Sequence, residues 1–319
     1  MKIVVLERNS AGIDIKMDYS DLGEVTYYPN TVTKAEVAER IKDADIVVAN
    51  KSPFCEETLR EASHLKLICE LATGFDNCDL AYCKARGIQV RNVVDYSTAM
   101  VAQHTFALAL SLIGKLPHYD RYVKSGTYGA QDRFSNFDIP FYELDGKVWG
   151  IVGMGHIGRQ VARIAEAFGC KVMFYSASGQ STCTEYERVD LDILLEKSDV
   201  LSLHCPLTDR TRHLIDERAL RKMKNTAVLI NVARGAVVDN HALYEALKEN
   251  RIAAAGLDVL EQEPIREDNP LRLIQDSNQL IITPHLAWAS VEARVRCVDE
   301  VRKNIEAFLR GEVRNLVNP

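Results

Sequence analysis

What this chain of 319 residues lacks narrows its class first. No apolar run reaches the roughly 18 residues that a membrane-spanning helix requires, so no membrane partner is expected. Long single-sign charge runs are missing too: 39 Lys and Arg stand against 45 Asp and Glu, and the net charge of −6 gives no basic footprint for nucleic acid. Eight cysteines occur (Cys55, Cys69, Cys78, Cys83, Cys170, Cys183, Cys205, Cys297), but none forms a C-x-x-C pair. Several lie in apolar, strand-like runs, so reduced, buried thiols in a cytoplasmic protein are expected rather than disulfides or redox work. Met1 to Glu7 is too short an apolar stretch for a signal peptide and reads as a first strand. There is no internal repeat and no low-complexity linker. With 47% hydrophobic and 26% charged residues, the chain has the composition of a globular protein and the length for two ordinary domains.

Strand and helix signals alternate along the first hundred residues. Ile3–Leu6, Ile46–Ala49 and Leu67–Glu70 read as strands; Lys34–Ile41, Glu56–Ala62 and Leu80–Ala85 read as helices. A long apolar helical stretch, Met100–Leu112, follows. Residues 117–140 read as aromatic, polar and irregular. Alternation resumes at Val148 and runs to Ile282, and a last helix is expected over Val291–Leu309.

The second half carries the chemistry. Residues 147–152 form an apolar run suited to a buried parallel strand, Gly153-Met154-Gly155-His156-Ile157-Gly158 follows, and Arg159–Phe168 repeats apolar positions at helical spacing. Strand, glycine turn and helix in that order form a dinucleotide cradle. Gly153 permits the tight turn, Gly155 lets the backbone approach a pyrophosphate, and Gly158 lets helix and strand pack closely. The next strand, Lys171–Tyr175, ends in Ser176-Ala177-Ser178-Gly179. An acid there would bind the ribose hydroxyls of NAD and repel the 2′-phosphate of NADP. Neither an acid nor an Arg is present, so the segment is permissive, and NAD is only slightly favoured over NADP.

Three further segments supply a cation, an acid and a proton donor: Asn231-Val232-Ala233-Arg234-Gly235, then Asp258 with Glu263-Pro264, then Thr283-Pro284-His285. Together with the cradle they describe an oxidoreductase. His104, His156 and His204 have no ligand-like spacing with acids or thiols, and no metal is expected.

In order and spacing these motifs, with Ala72-Thr73-Gly74-Phe75-Asp76-Asn77 and Val101-Ala102-Gln103-His104-Thr105, resemble the D-isomer-specific 2-hydroxyacid dehydrogenases over essentially the whole chain. The Ala72-Thr73-Gly74 loop and Thr283 to Ala289 are most similar to the glycerate dehydrogenase or hydroxypyruvate reductase branch. The resemblance implies two doubly wound α/β domains with parallel sheets: a flavodoxin-like substrate domain from residues 1–98 and 288–319, and a Rossmann cofactor domain, 99–287, inserted into it. It also implies a homodimer joined through the helix near 100–113 and the loop after it.

For the chemistry, the substrate would be a small 2-keto or 2-hydroxy acid. Arg234 would clamp its carboxylate and ketone oxygen, helped by the backbone N–H groups of Thr73 and Gly74. His285 would donate the proton, and Glu263 would favour its imidazolium form, as a carboxylate within about 4–6 Å does. Asp258 is assigned to the nicotinamide carboxamide. Further cofactor contacts are expected from Gly153, Gly155, His156, Ile157, Gly158, Ser176, Cys205, Pro206, Val232, Ala233, Arg234 and His285. Selectivity for the acid's side chain is expected from Phe54, Phe75, Tyr96 and Trp288. Hydroxypyruvate and D-glycerate lead, D-lactate or a bulkier acid is the alternative, and an NAD(H)-sensing corepressor is the alternative of another class.

Overall fold

The computed structural model describes residues 1–319, and the chain divides into two compact units, 1–97 with 288–319 and 98–287. The first unit begins β1 (Lys2–Val5), β2 (Glu24–Tyr27), α1 (Lys34–Ile41), β3 (Ile46–Ala49), α2 (Glu56–Leu59), β4 (Leu67–Glu70), α3 (Leu80–Ala85) and β5 (Gln89–Arg91). All its strand pairs are parallel, in the order β2-β1-β3-β4-β5, which is the flavodoxin-like winding. β3 and β4 are buried at every residue, as strands covered by helices on both faces must be. At the start of α1, Thr33 accepts from the Glu36 amide while the Glu36 carboxylate takes the Thr33 amide, so two otherwise unpaired donors are satisfied.

The second unit runs α4 (Thr98–Ile113), α5 (Leu116–Lys124), β6 (Val148–Val152), α6 (His156–Ala167), β7 (Lys171–Tyr175), β8 (Glu187–Arg188), α7 (Leu191–Lys197), β9 (Val200–Leu203), α8 (Glu217–Lys222), β10 (Val228–Asn231), α9 (Asn240–Lys248), β11 (Ala254–Leu257) and β12 (Leu280–Ile282). Its seven parallel strands lie in the order β12-β11-β10-β9-β6-β7-β8. Trp149 is wholly buried in β6, donates its indole N–H to Ser202 Oγ at 2.9 Å and stacks on Phe106 of α4. No single helix is long and apolar enough to cross a membrane.

The chain then returns to the first unit with α10 (Val291–Leu309), capped by the Ser290 hydroxyl. Buried Arg91 explains why this tail belongs there. Its guanidinium donates to the carbonyls of Asn304 at 2.9 Å and Glu312 at 2.8 Å, and Asn318 bonds both Val90 and Ile88 beside β5.

Several sequence expectations shift. Residues 117–124, expected to be irregular, lie in α5, whose first turn accommodates Pro117 because a missing N–H costs nothing there. α6 begins at His156 rather than Arg159, and α2 stops at Leu59 rather than Ala62. The edge strand β2, half exposed, and the three-residue β5 give too little alternation to be read from sequence.

Candidate active site

At the carboxyl end of β6 the chain turns sharply. Gly153 sits at φ +95°, and a side chain on it would meet the His204 carbonyl oxygen at 2.8 Å and the Cys205 nitrogen at 2.9 Å. A side chain on Gly158 would collide with the Gly153 oxygen at 2.2 Å, so α6 can lie this close to its strand only with glycine at both places. Gly155 differs, because nothing stands within 4 Å of where its side chain would begin. Gly155 is also the N-cap of α6 and offers no side-chain acceptor to the first-turn N–H groups. Open space above a glycine, beside the first-turn amides at the positive end of a helix, fits a dinucleotide pyrophosphate. His156 and Ile157 open that helix.

Around this crest, Cys205 is buried and burial pushes its thiol up to about 11. The Pro206 carbonyl accepts from Thr211 Oγ1 at 2.7 Å. Ser176 is nearly buried and its Oγ accepts from the Ser181 amide. His204 is fully buried with neither ring nitrogen hydrogen-bonded, and burial pushes its ring down to about 3, so it is neutral.

β10 delivers Arg234. The Asn231 side chain brackets the turn, accepting from the Ala233 amide and donating to the Arg234 carbonyl, both at 3.0 Å. Arg234 Nη1 folds back onto the Ala233 carbonyl at 2.9 Å, and Val232 is nearly buried. A side chain on Gly235 would lie 1.8 Å from the Leu260 carbonyl carbon, so the Arg234 turn is pressed directly onto the loop leaving β11. That loop carries Glu263.

Glu263 Oε1 accepts from the Leu260 amide at 3.0 Å, and Oε2 lies 2.6 Å from His285 Nδ1. An ionised carboxylate has no hydrogen to give, so Nδ1–H donates and Nε2 is the nitrogen left to exchange a proton. His285 has φ +54°, a left-handed backbone uncommon outside glycine. Its amide donates to the Asp258 carbonyl at 2.8 Å, and the Asp258 carboxylate accepts from the amides of Leu286 at 2.9 Å and Ala287 at 2.8 Å. Asp258, almost wholly buried, therefore holds the turn that presents the imidazole.

Sequence reasoning missed the partners of Asp258. Thr283 Oγ1 donates to its Oδ1 at 2.6 Å, which spends the only hydroxyl hydrogen, so His104 Nε2–H at 2.9 Å must donate to Thr283. Burial holds the His104 ring below the ordinary imidazole range, against the pull of Asp258. A histidine in an apolar helix carries no spacing signal for such a role.

In the first unit, Thr73 Oγ1 donates to the Val93 carbonyl at 2.8 Å and the Thr73 carbonyl accepts from Asn92 at 2.7 Å. The Thr73 and Gly74 N–H groups are outside the loop's internal backbone bonds. Phe54, expected to face a substrate, is instead wholly buried in the core with Leu59 and Cys83, because its backbone bridges to the 77–79 segment and draws the ring inward. Trp288 meets Tyr96 edge-on at 6.2 Å.

A sheet crest shaped for a dinucleotide, within the same unit as an imidazole poised to exchange a proton, is the equipment of a nicotinamide-dependent oxidoreductase. Residues 106–287 match the family described as D-isomer specific 2-hydroxyacid dehydrogenase, NAD binding domain, and the chain belongs to that family. It is 39% identical over 316 residues to the glycerate dehydrogenase of Methylorubrum extorquens, covering 99% of this chain and 98% of that one. Among solved structures, it is similar to an acyclic imino acid reductase in complex with NADPH and D-Arg (31% identity, TM-score 0.89, 99% and 100% of the two chains). It is likewise similar to the D-lactate dehydrogenase of Aquifex aeolicus complexed with NAD and lactic acid (31% identity, TM-score 0.86, 100% and 99%).

Proposed function

We propose that this protein interconverts a small 2-keto acid and its D-2-hydroxy acid, hydroxypyruvate and D-glycerate first among them, with NAD(H) or NADP(H). The observation that carries the reading is the Glu263–His285 pair, anchored through Leu260 on one side and leaving Nε2 free for the reacting oxygen on the other. When bound, the nicotinamide supplies or accepts the hydride. Arg234 holds the substrate carboxylate and polarises the ketone, which a planar, permanently charged fork suits. His285 gives its Nε2 proton to the ketone oxygen in reduction and recovers one from the hydroxyl in oxidation, while Glu263 stabilises the charged ring. Asp258 holds the His285 turn and keeps one lone-pair site on Oδ2 for the nicotinamide carboxamide.

The protein acts as a homodimer in the cytoplasm. Support comes from the run of exposed apolar side chains after α4, including Leu116, Val123, Phe134, Phe137, Phe141 and Tyr142, which a second copy would cover. The eight free cysteines fit a reducing compartment.

The test is the rate of hydroxypyruvate reduction against pH for the wild type and Glu263→Gln, with glyoxylate and pyruvate run in parallel to rank substrates. Loss of the carboxylate should move the alkaline limb down by about one pH unit or more. Superimposed profiles would make Glu263 structural, and absence of turnover with every keto acid would remove the reading.

A further inference from the structure

In the sequence, the turn after β7 carries neither acid nor base, but the fold brings a base to it. β8 pairs with β7 in the register Met173 with Glu187 and Phe174 with Arg188, and from there the Arg188 side chain reaches back across the strand pair. Its Nη2 lies 3.8 Å from where a side chain on Gly179 would begin. Gly179 closes the turn with φ +75°, donating its amide to the Ser176 carbonyl at 3.0 Å. A side chain there would touch the guanidinium at ordinary contact distance and would be strained by that backbone angle.

Arg188 has no ion pair within the protein, although acids are near in sequence; Glu185 is engaged with Arg159 at 3.4 Å. The Ser178 hydroxyl is exposed and accepts from the Gln180 amide at 3.2 Å, which leaves its hydrogen to donate. In a doubly wound sheet, the end of the second strand of the nucleotide fold is where the adenosine ribose is read. An unpaired guanidinium and a donor hydroxyl there, with no acid to repel an anion, match a phosphate monoester.

We propose that Arg188, with Ser178, binds the 2′-phosphate of NADP(H), and that this pair sets the choice between the two dinucleotides. The inference rests on the dinucleotide reading of the Gly153–Gly158 crest. It makes the turn selective where the sequence read it as neutral, and it makes the selecting residue one that lies nine positions beyond Gly179.

Calorimetric binding of adenosine 2′,5′-bisphosphate and of 5′-AMP tests this without turnover, in the wild type, Arg188→Ala and Arg188→Glu. Low ionic strength is needed, since an exposed guanidinium is screened by salt. The wild type should prefer the bisphosphate by roughly tenfold or more, Arg188→Ala should bind the two alike, and Arg188→Glu should prefer 5′-AMP. Equal binding by the wild type, or a preference that survives in Arg188→Ala, overturns the proposal while leaving the crest reading intact. Failure of the wild type to bind either nucleotide or NADH overturns both.

Discussion

The two sheets share one winding and differ in what fills it. β1 lies between β2 and β3, and β6 lies between β7 and β9, so each sheet reverses direction beside its first strand and opens a crevice at the carboxyl ends there. In the first unit the chain fills that crevice with its own anion. The Glu7 carboxylate accepts the Asn50 amide at 2.6 Å and the Lys51 amide at 3.1 Å. In the second unit no acid stands at the crest, and Gly155 leaves it open. Two copies of one architecture thus become a filled crest and an open, ligand-ready one through the side chains of a few residues.

Buried titratable groups repeat the contrast with opposite sign. Glu70, at the end of β4, is fully buried and pushed up to about 8; its Oε1 accepts from Asn77 at 3.1 Å and from the Cys78 thiol at 3.0 Å, while Oε2 has no partner. Burial therefore favours the protonated, neutral acid. His204, in the second unit, is held neutral from the other side, well below its ordinary range.

The comparison breaks most severely at the groups the second unit leaves free. His285→Ala should lower kcat by about 10²–10⁴-fold at every pH while dinucleotide affinity, read by nicotinamide fluorescence, stays near wild type. Retention of more than a tenth of the activity would assign proton transfer elsewhere.

The buried pair sharpens it next. Glu70 keeps a proton that the unfolded chain has lost, so its contribution to stability is complete below about pH 4.5, is lost as pH rises towards about 8, and is absent above that. His204 runs the other way: its contribution is complete above about pH 6.5 and is lost as pH falls towards about 3. Hydrogen exchange, corrected for intrinsic rates, should show protection of β4 falling at alkaline pH and that of β9 at acid pH. Glu70→Gln should remove the alkaline loss, worth a few kcal/mol. An unchanged alkaline slope in that variant would place the titration at another group.

Putting an acid on the open crest imitates the filled one. Gly155→Asp has room to fold, and its charge should oppose the phosphates, weakening NADH binding by about a hundredfold, or roughly 2.7 kcal/mol. Unaltered affinity would mean that the phosphates lie elsewhere. The reciprocal change, Glu7→Gln, weakens the filled crest. It should cost about 1–3 kcal/mol in denaturant unfolding and leave NADH affinity alone. A loss of NADH affinity in that variant would deny that the two crests act independently.

The sequence by itself determined the features that depend on neighbours along the chain. β3, β4, β7, α1, α3 and α10 begin and end where alternation, capping and apolar spacing set them. The glycine cradle was equally legible, since strand, turn and helix are contiguous, and so was the pairing of Glu263 with His285, through the order of their motifs. Tertiary structure alone decided what depends on contacts across strands. Gly235 matters because the Arg234 turn presses on Leu260, and Asp258 works through Thr283 and His104, which lies 154 positions earlier. Phe54 went to the core, and Arg188 reached the turn after β7 only because β8 pairs with β7. The physical reason is common to all four: propensity and pattern act over a few residues, whereas a parallel sheet sets side by side strand ends that the chain keeps far apart.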